Sequence, residues 1–288
     1  MDTVWDWAVR QTNKFIVVDG CIYNVPSTDK QLEKENEMVT KSSSDILSRF
    51  RRFDPTINKR LIVALEGPPK VGKTRFPLTF PGPIVVMNTD RPLEGQEEFA
   101  RKKDIYFENY NISKEFGITE YKQLWDRYES DFYAVCDDPA IRTIVLDTFT
   151  EARNLALLGL YGRTTQIQPF MYGPANALVR SMVKYAGSTD KNFVFTHQMK
   201  AEYDGDKATG KLIRNGIDAT AYFAQINCAM FRERNLVDGK ELPGDFVLRI
   251  TDCGQNGTAA GAELRNELIE YKFLASTVYA DTTPEDWE

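Results

Sequence analysis

The sequence predicts an α/β fold: a mostly parallel sheet with helices on both faces, preceded by a small N-terminal element. Four short apolar runs, at 61–65, 84–87, 143–146 and 193–196, read as strands buried on both sides. Amphipathic stretches at 121–133 and 174–186 lie between them and read as covering helices. Two later runs, at 226–231 and 246–251, extend the sheet.

Ahead of the core, apolar residues flank Asp19-Gly20 and read as a short hairpin. Residues 27–44 are rich in Lys, Glu and Ser, with too little apolar surface to pack, and read as a mobile linker. The chain thus divides into an N-terminal element and linker (1–59), which also offers a segment for self-association, an α/β core (60–275) and an acidic tail (276–288). The tail is expected to fray, serving solubility or acting as a peg that competes with nucleic acid or docks a partner.

The 288 residues carry a net charge of -6, with 42% hydrophobic and 27% charged residues. That suffices for one substantial core and excludes a protein coated with positive charge, while leaving room for a local basic stripe. Cys21, Cys136, Cys228 and Cys253 are far apart and His197 is the only histidine, so neither zinc-ligand spacing nor a disulfide framework is present. The chain begins without a basic segment leading into an apolar one, and no run approaches the ~18 apolar residues of a membrane span. The expected location is the cytosol, without membrane contact.

The most informative segment is Gly67-Pro68-Pro69-Lys70-Val71-Gly72-Lys73-Thr74, which follows the first core strand and is expected to open a helix. Glycines at both ends let backbone N–H groups curl toward phosphate, and a helix N-terminus adds favourable partial charge. The pattern calls for ATP with Mg²⁺: Lys73 reaches the β/γ oxygens, Thr74 ligates the metal, and Lys70 and Arg75 supply further contacts. Pro77 fits only if it lies in the first helical turn.

Asp147 ends the 143–146 strand and completes the expected metal site, holding Mg²⁺ through water, with Thr148 beside it. Because residue 148 is not glutamate, the group that orients the attacking water must come from elsewhere. RecA-like proteins, which this arrangement resembles, take it from the end of the strand next in sequence after the phosphate loop; that resemblance implies Asp90 first and Glu94 second, with a helix cap as the alternative for Asp90.

From Leu61 to about Arg234 the order of features resembles the RecA-like recombinases, and more closely the small phage-encoded ATP-binding proteins related to them, some of which act with single-strand annealing. Phe80-Pro81-Gly82-Pro83-Ile84 and Asn88-Thr89-Asp90-Arg91-Pro92-Leu93-Glu94-Gly95 carry the likeness. The resemblance implies a RecA-like core in which Gln198 senses the γ-phosphate, while His197 has a structural or sensing role. It also implies DNA-contacting loops at 159–173, with Arg163, and at 200–216, with Lys200, Lys207, Lys211 and Arg214. The alternative is a disordered surface hairpin around Asp204-Gly205-Asp206. Phe50 and Phe53, in a basic stretch at 49–60, either join nucleic-acid binding or lodge in a neighbouring subunit. Arg232 and Arg234, just after a late strand, reach a neighbour's γ-phosphate or remain a solvated or salt-bridged pair.

The resulting expectation is an ATPase that self-assembles into a filament or ring, binds single-stranded DNA and acts in recombination, with an annealing or single-strand-binding protein as a further partner. Two other classes share the core: a helicase or loader motor, and a nucleotide-gated interaction protein with slow hydrolysis. Asp90, one methylene shorter than glutamate, suits the latter.

Overall fold

A computed structural model describes residues 15–18, 21–24, 48–49, 59–90, 96–97, 101, 104–164, 166–237 and 240–288. Contacts divide the chain into two compact units, Met1–Ile57 and Asn58–Glu288. In the first, β1 (Phe15–Val18) pairs antiparallel with β2 (Cys21–Asn24), Val18 opposite Cys21. The Asp19-Gly20 pair expected to turn between them lies outside the described residues. The linker, Phe50, Phe53 and Glu94 lie outside the described residues.

The second unit begins with β3 (Ile62–Glu66), β4 (Ile84–Asn88) and β5 (Ile105–Asn109). Helix α1 (Ile118–Asp137), β6 (Thr143–Asp147), α2 (Phe149–Tyr161) and α3 (Tyr172–Ala186) follow. Then come β7 (Asn192–Asp204), β8 (Lys207–Asn215), α4 (Asp218–Phe223), β9 (Ile226–Val237), β10 (Lys240–Cys253), β11 (Glu263–Arg265) and α5 (Tyr271–Val278). The sheet runs β11-β10-β9-β3-β7-β6-β4-β5, with β8 paired to the far half of β7. Strands β9, β3, β7, β6, β4 and β5 are parallel; β10, β11 and β8 are antiparallel additions.

The period-2 geometry of a strand sorts the apolar runs onto two faces. Ile62, Ile144, Leu146, Phe193 and Phe195 enter one core with α1, α2 and α3. Val63, Leu65, Val145 and Val194 enter the other, with Leu274, Ala275 and Val278 of α5. Helix α1 shows why such a segment is helical: Tyr121, Trp125, Tyr128, Phe132 and Cys136 recur at helical spacing and are all buried. Its entry is held by Glu120, whose Oε2 accepts the Gly117 N–H at 3.0 Å.

Several expectations are corrected. The helix expected after Thr74 is a four-residue 3-10 turn, Phe76–Thr79, with Pro77 at its start. Pro77 lacks an N–H, and Pro81 and Pro83 prevent continuation, so the segment never becomes long enough to carry a macrodipole. The late strands are longer than the apolar runs suggest, so Arg232 and Arg234 lie within β9 rather than after it. Strand β5 was not expected; its Tyr106 and Phe107 are 59% and 55% exposed, so no buried run announces it.

The acidic tail does not fray. It closes as a 3-10 turn, Pro284–Trp287, and Trp287 stacks on Tyr279 with centroids 5.2 Å apart and meets Tyr271 edge-on at 5.8 Å. The Trp287 indole N–H donates to Thr282 Oγ1 at 2.9 Å, and Asp281 pairs with Lys59 at 3.1 Å. Two aromatic partners outweigh the solubility of the surrounding carboxylates. Among the described residues no helix is long and apolar enough to cross a membrane.

Candidate functional site

The 67–74 segment leaves the carboxyl end of β3 and bends back in a loop that admits few side chains. A Cβ on Gly67 would sit 2.3 Å from the carbonyl oxygen of Met230 on β9, and Gly72 adopts φ +99°. Both positions therefore need glycine. Lys70 also has positive φ, 65°, and its side chain is exposed. The Lys73 ammonium donates to the carbonyls of Gly67 at 2.8 Å and Pro68 at 2.7 Å, so it is held over the loop's own cradle. Burial lowers its pKa, offset in part by the carboxylates of Asp147 and Asp90.

Asp147 stands at the end of β6, two strands from the loop. Its Oδ2 accepts from Thr74 Oγ1 at 2.8 Å and its Oδ1 from Thr196 Oγ1 at 2.5 Å. Burial pushes the carboxyl above the usual carboxylate range, against the two hydroxyl hydrogen bonds that favour its charged form. The Asp147-Thr148 peptide bond is cis. Thr89 ties the end of β4 to the same place, its N–H donating to Asp147 O and its hydroxyl to Thr148 O, both at 2.8 Å. Asp90 is thereby brought beside Asp147, with its N–H donating to Asn88 Oδ1 at 3.2 Å.

These residues share one cavity of about 1050 Å³, lined by Lys73, Thr74, Arg75, Asp90, Asp147 and Gln198 among others. The Gln198 backbone N–H donates to Thr150 Oγ1 at 3.1 Å, which fixes β7 against the start of α2. Hard oxygen donors at Thr74 and Asp147, 2.8 Å apart, fit Mg²⁺, which takes one or two protein oxygens and completes its shell from phosphate and water. The glycine-limited loop with its lysine fits a polyphosphate.

Other expected residues lie elsewhere. Arg163 follows α2, donates to Tyr121 Oη at 3.1 Å and lines a separate cavity of about 510 Å³ that it shares with Asp90. The 159–173 segment is less loop than expected, since α2 runs to Tyr161 and a 3-10 turn at Pro169–Met171 leads into α3. The 200–216 segment is not a loop: β7 and β8 form a hairpin turning at Gly205, φ +60°, with Asp204 opposite Lys207. Lys200, Lys207 and Lys211 are exposed on this arm.

Arg214, expected beside those lysines, is instead turned inward. Its Nε donates to Glu66 Oε2 at 2.6 Å and Nη2 to Asn227 Oδ1 at 3.3 Å. The adjacent His197 ring is fully buried, and desolvation, reinforced by Arg214, drives its pKa well below the ordinary value. The imidazole is therefore neutral. Arg232 donates from Nε to Gly244 O at 3.1 Å and covers the Phe246 ring at 4.7 Å.

Sequence reading missed Thr196, Glu66 and the wall contributed by Met230, Phe246, Asn266, Glu267, Ile269 and Glu270. Thr196 was legible in principle: the buried runs of two neighbouring strands, β6 and the first half of β7, carry Leu-Asp and Phe-Thr in register, which sets its hydroxyl beside Asp147. The wall depends on contacts about 160–200 residues apart in sequence, for which no local signal exists.

A glycine-limited loop after a buried parallel strand, a lysine over it and the loop's own Thr74 paired with Asp147 from β6 define a P-loop nucleoside triphosphatase. The AAA domain family matches residues 59–222, and the chain belongs to that family. The match makes it a P-loop AAA ATPase, for which ATP and Mg²⁺ are the cofactors the fold suggests. No curated protein matches the chain.

Proposed function

We propose that this ATPase couples ATP hydrolysis to single-stranded DNA, as a self-assembling recombination protein of the phage-encoded type. The observation that carries the reading is the dual role of β7. At its midpoint the strand lines the nucleotide cavity through Gln198, and two residues later Lys200 opens the exposed arm that also bears Lys207 and Lys211. A change at Gln198 has only that short, hydrogen-bonded path to travel before it reaches an exposed surface on which three lysines and Tyr203 suit backbone tracking and base stacking.

In this reading the loop N–H groups and Lys73 bind and orient the β- and γ-phosphates, releasing the Gly67 and Pro68 carbonyls that now hold the ammonium. Mg²⁺ bound by Thr74 and Asp147 supplies neutralisation of phosphate charge. Asp90 accepts a hydrogen bond from the attacking water and orients it, and Gln198 senses whether the terminal phosphate is present. The buried Thr196 hydroxyl holds Asp147 in place.

Steady-state ATP hydrolysis with and without single-stranded DNA, at low and moderate salt, tests this, with Lys73→Ala as the blank. Stimulation by DNA that Lys73→Ala abolishes supports it. Hydrolysis indifferent to DNA sinks the nucleic-acid claim and transfers the arm to a protein partner, for which Leu212, 52% exposed, and Ile213, 38% exposed, offer apolar contact.

A further inference from the structure

The cavity around the phosphate loop continues past it, and its far wall comes from residues beyond the 59–222 span of the family match. Met230 on β9, Phe246 on β10 and the turn holding Glu267, Ile269 and Glu270 form that wall. The wall is anchored. Tyr271, next in the chain, donates its N–H to Thr79 Oγ1 at 2.8 Å, and its ring lies 4.7 Å from Phe80 just beyond the phosphate loop. Asn266 accepts the Phe246 N–H at 3.0 Å and donates to Asp245 at 2.9 Å, tying the turn to β10.

Sheet order gives the cavity a direction. The strand carrying the loop, β3, has β7, β6 and β4 on one side, and these supply Gln198, Asp147 and Asp90. On its other side lie β9, β10 and β11, which supply or precede the far wall. A nucleotide whose terminal phosphates face the metal-binding carboxylate therefore extends its remaining part toward Phe246 and the 266–270 turn.

We propose that this wall is the nucleoside subsite, with Met230, Phe246 and Ile269 meeting the base and Glu267 and Glu270 accepting hydrogens from the nucleoside. The chemistry suits one end of the ligand only. An aromatic and aliphatic surface suits a planar base, and carboxylates accept from ribose hydroxyls or a base amino group but repel phosphate. This inference rests on the nucleotide reading above and adds what recognises the uncharged end. It also assigns a role in recognition to the region beyond the matched domain.

The test compares Kd values of the full chain, with Mg²⁺, for ATP, 2′-deoxy-ATP and inorganic tripolyphosphate, in wild type, Phe246→Ala and the Glu267→Ala/Glu270→Ala double variant. Both variants should weaken ATP by about tenfold and leave tripolyphosphate unchanged. If the carboxylates meet ribose, deoxy-ATP is weaker from the start and the double variant weakens it less; if they meet the base, both nucleotides weaken alike. ATP affinity unchanged in both variants, or tripolyphosphate lost in parallel with ATP, overturns the subsite. Lys73→Ala separates the two levels: if it leaves both ligands bound, the nucleotide reading itself fails, whereas loss of both with no effect of the wall variants condemns the subsite alone.

Discussion

Arg214, near the foot of the β7–β8 arm, donates a 2.6 Å hydrogen bond to Glu66, the residue immediately before the phosphate loop, across 148 positions of sequence. Their side chains are only 15% and 21% exposed. Removing one partner of a pair this sheltered leaves the other charge without compensation, so Arg214→Ala is expected to cost about 3 kcal/mol. The charge-reversed double variant, Glu66→Arg with Arg214→Glu, should recover part of that loss. Urea unfolding of the two single variants and the double gives the coupling energy. Strictly additive losses would show that the pair does not join arm to loop.

His197, the only histidine in the chain, adds a pH-dependent contribution to stability, distinct in sign from that of the buried Asp147 carboxyl, whose pKa is raised. Its folded pKa lies well below the ordinary value through burial and the Arg214 charge. The unfolded chain therefore binds the proton more readily. The His197 contribution is full above about pH 6.5 and falls as the pH drops toward the folded pKa, by about 1.4 kcal/mol per unit. The ring packs edge-on against Phe149 at 5.9 Å, so His197→Phe should remove this contribution and change the slope by that amount. Unfolding free energies between pH 5 and 7 for both proteins check it; equal slopes would contradict the burial argument.

At Gly67 the constraint is a backbone atom rather than a side chain. A methyl group there meets the Met230 carbonyl oxygen at 2.3 Å and Val71 Cγ2 at 3.2 Å, and the former belongs to β9, which pairs with β3 at this point. Gly67→Ala must therefore push the two strands apart or displace the loop, at about 2 kcal/mol. The expected result is a lowered Tm together with weakened ATP binding. A variant with wild-type Tm and affinity would mean that the β3–β9 contact yields freely.

How far the sequence could be read depended on whether a feature was local. Leu65 through Thr74 announce strand and loop in adjacent residues, and the continuous apolar 143–146 and 193–196 runs announce strands buried on both faces without saying which residue takes which face. Pro77, Pro81 and Pro83 already held the information that shortens the expected helix to Phe76–Thr79. Arg214 looked like its lysine neighbours because composition does not distinguish the inward from the outward side of a hairpin whose partner strand is distant. Trp287 likewise reads as part of an acidic tail until Tyr271 and Tyr279 are folded beside it.

The inward turn of Arg214 leaves Lys200, Lys207 and Lys211 as the arm's cations for phosphate contact, and the arm's net charge is nearly balanced by Glu202, Asp204 and Asp206. DNA affinity should then come from few contacts and depend on salt modestly. Three phosphate contacts on a single strand release counterions with a slope of log K against log salt near about -2. The Lys200→Ala/Lys207→Ala/Lys211→Ala variant should bring the slope toward zero and remove DNA stimulation, while basal ATP hydrolysis stays within about twofold, since none of the three lines the nucleotide cavity. Fluorescence anisotropy of a labelled oligonucleotide across a salt series measures the slope. An unchanged slope in the variant would move the DNA-binding surface off this arm, and Arg163 beside the second cavity would be the next cation to test.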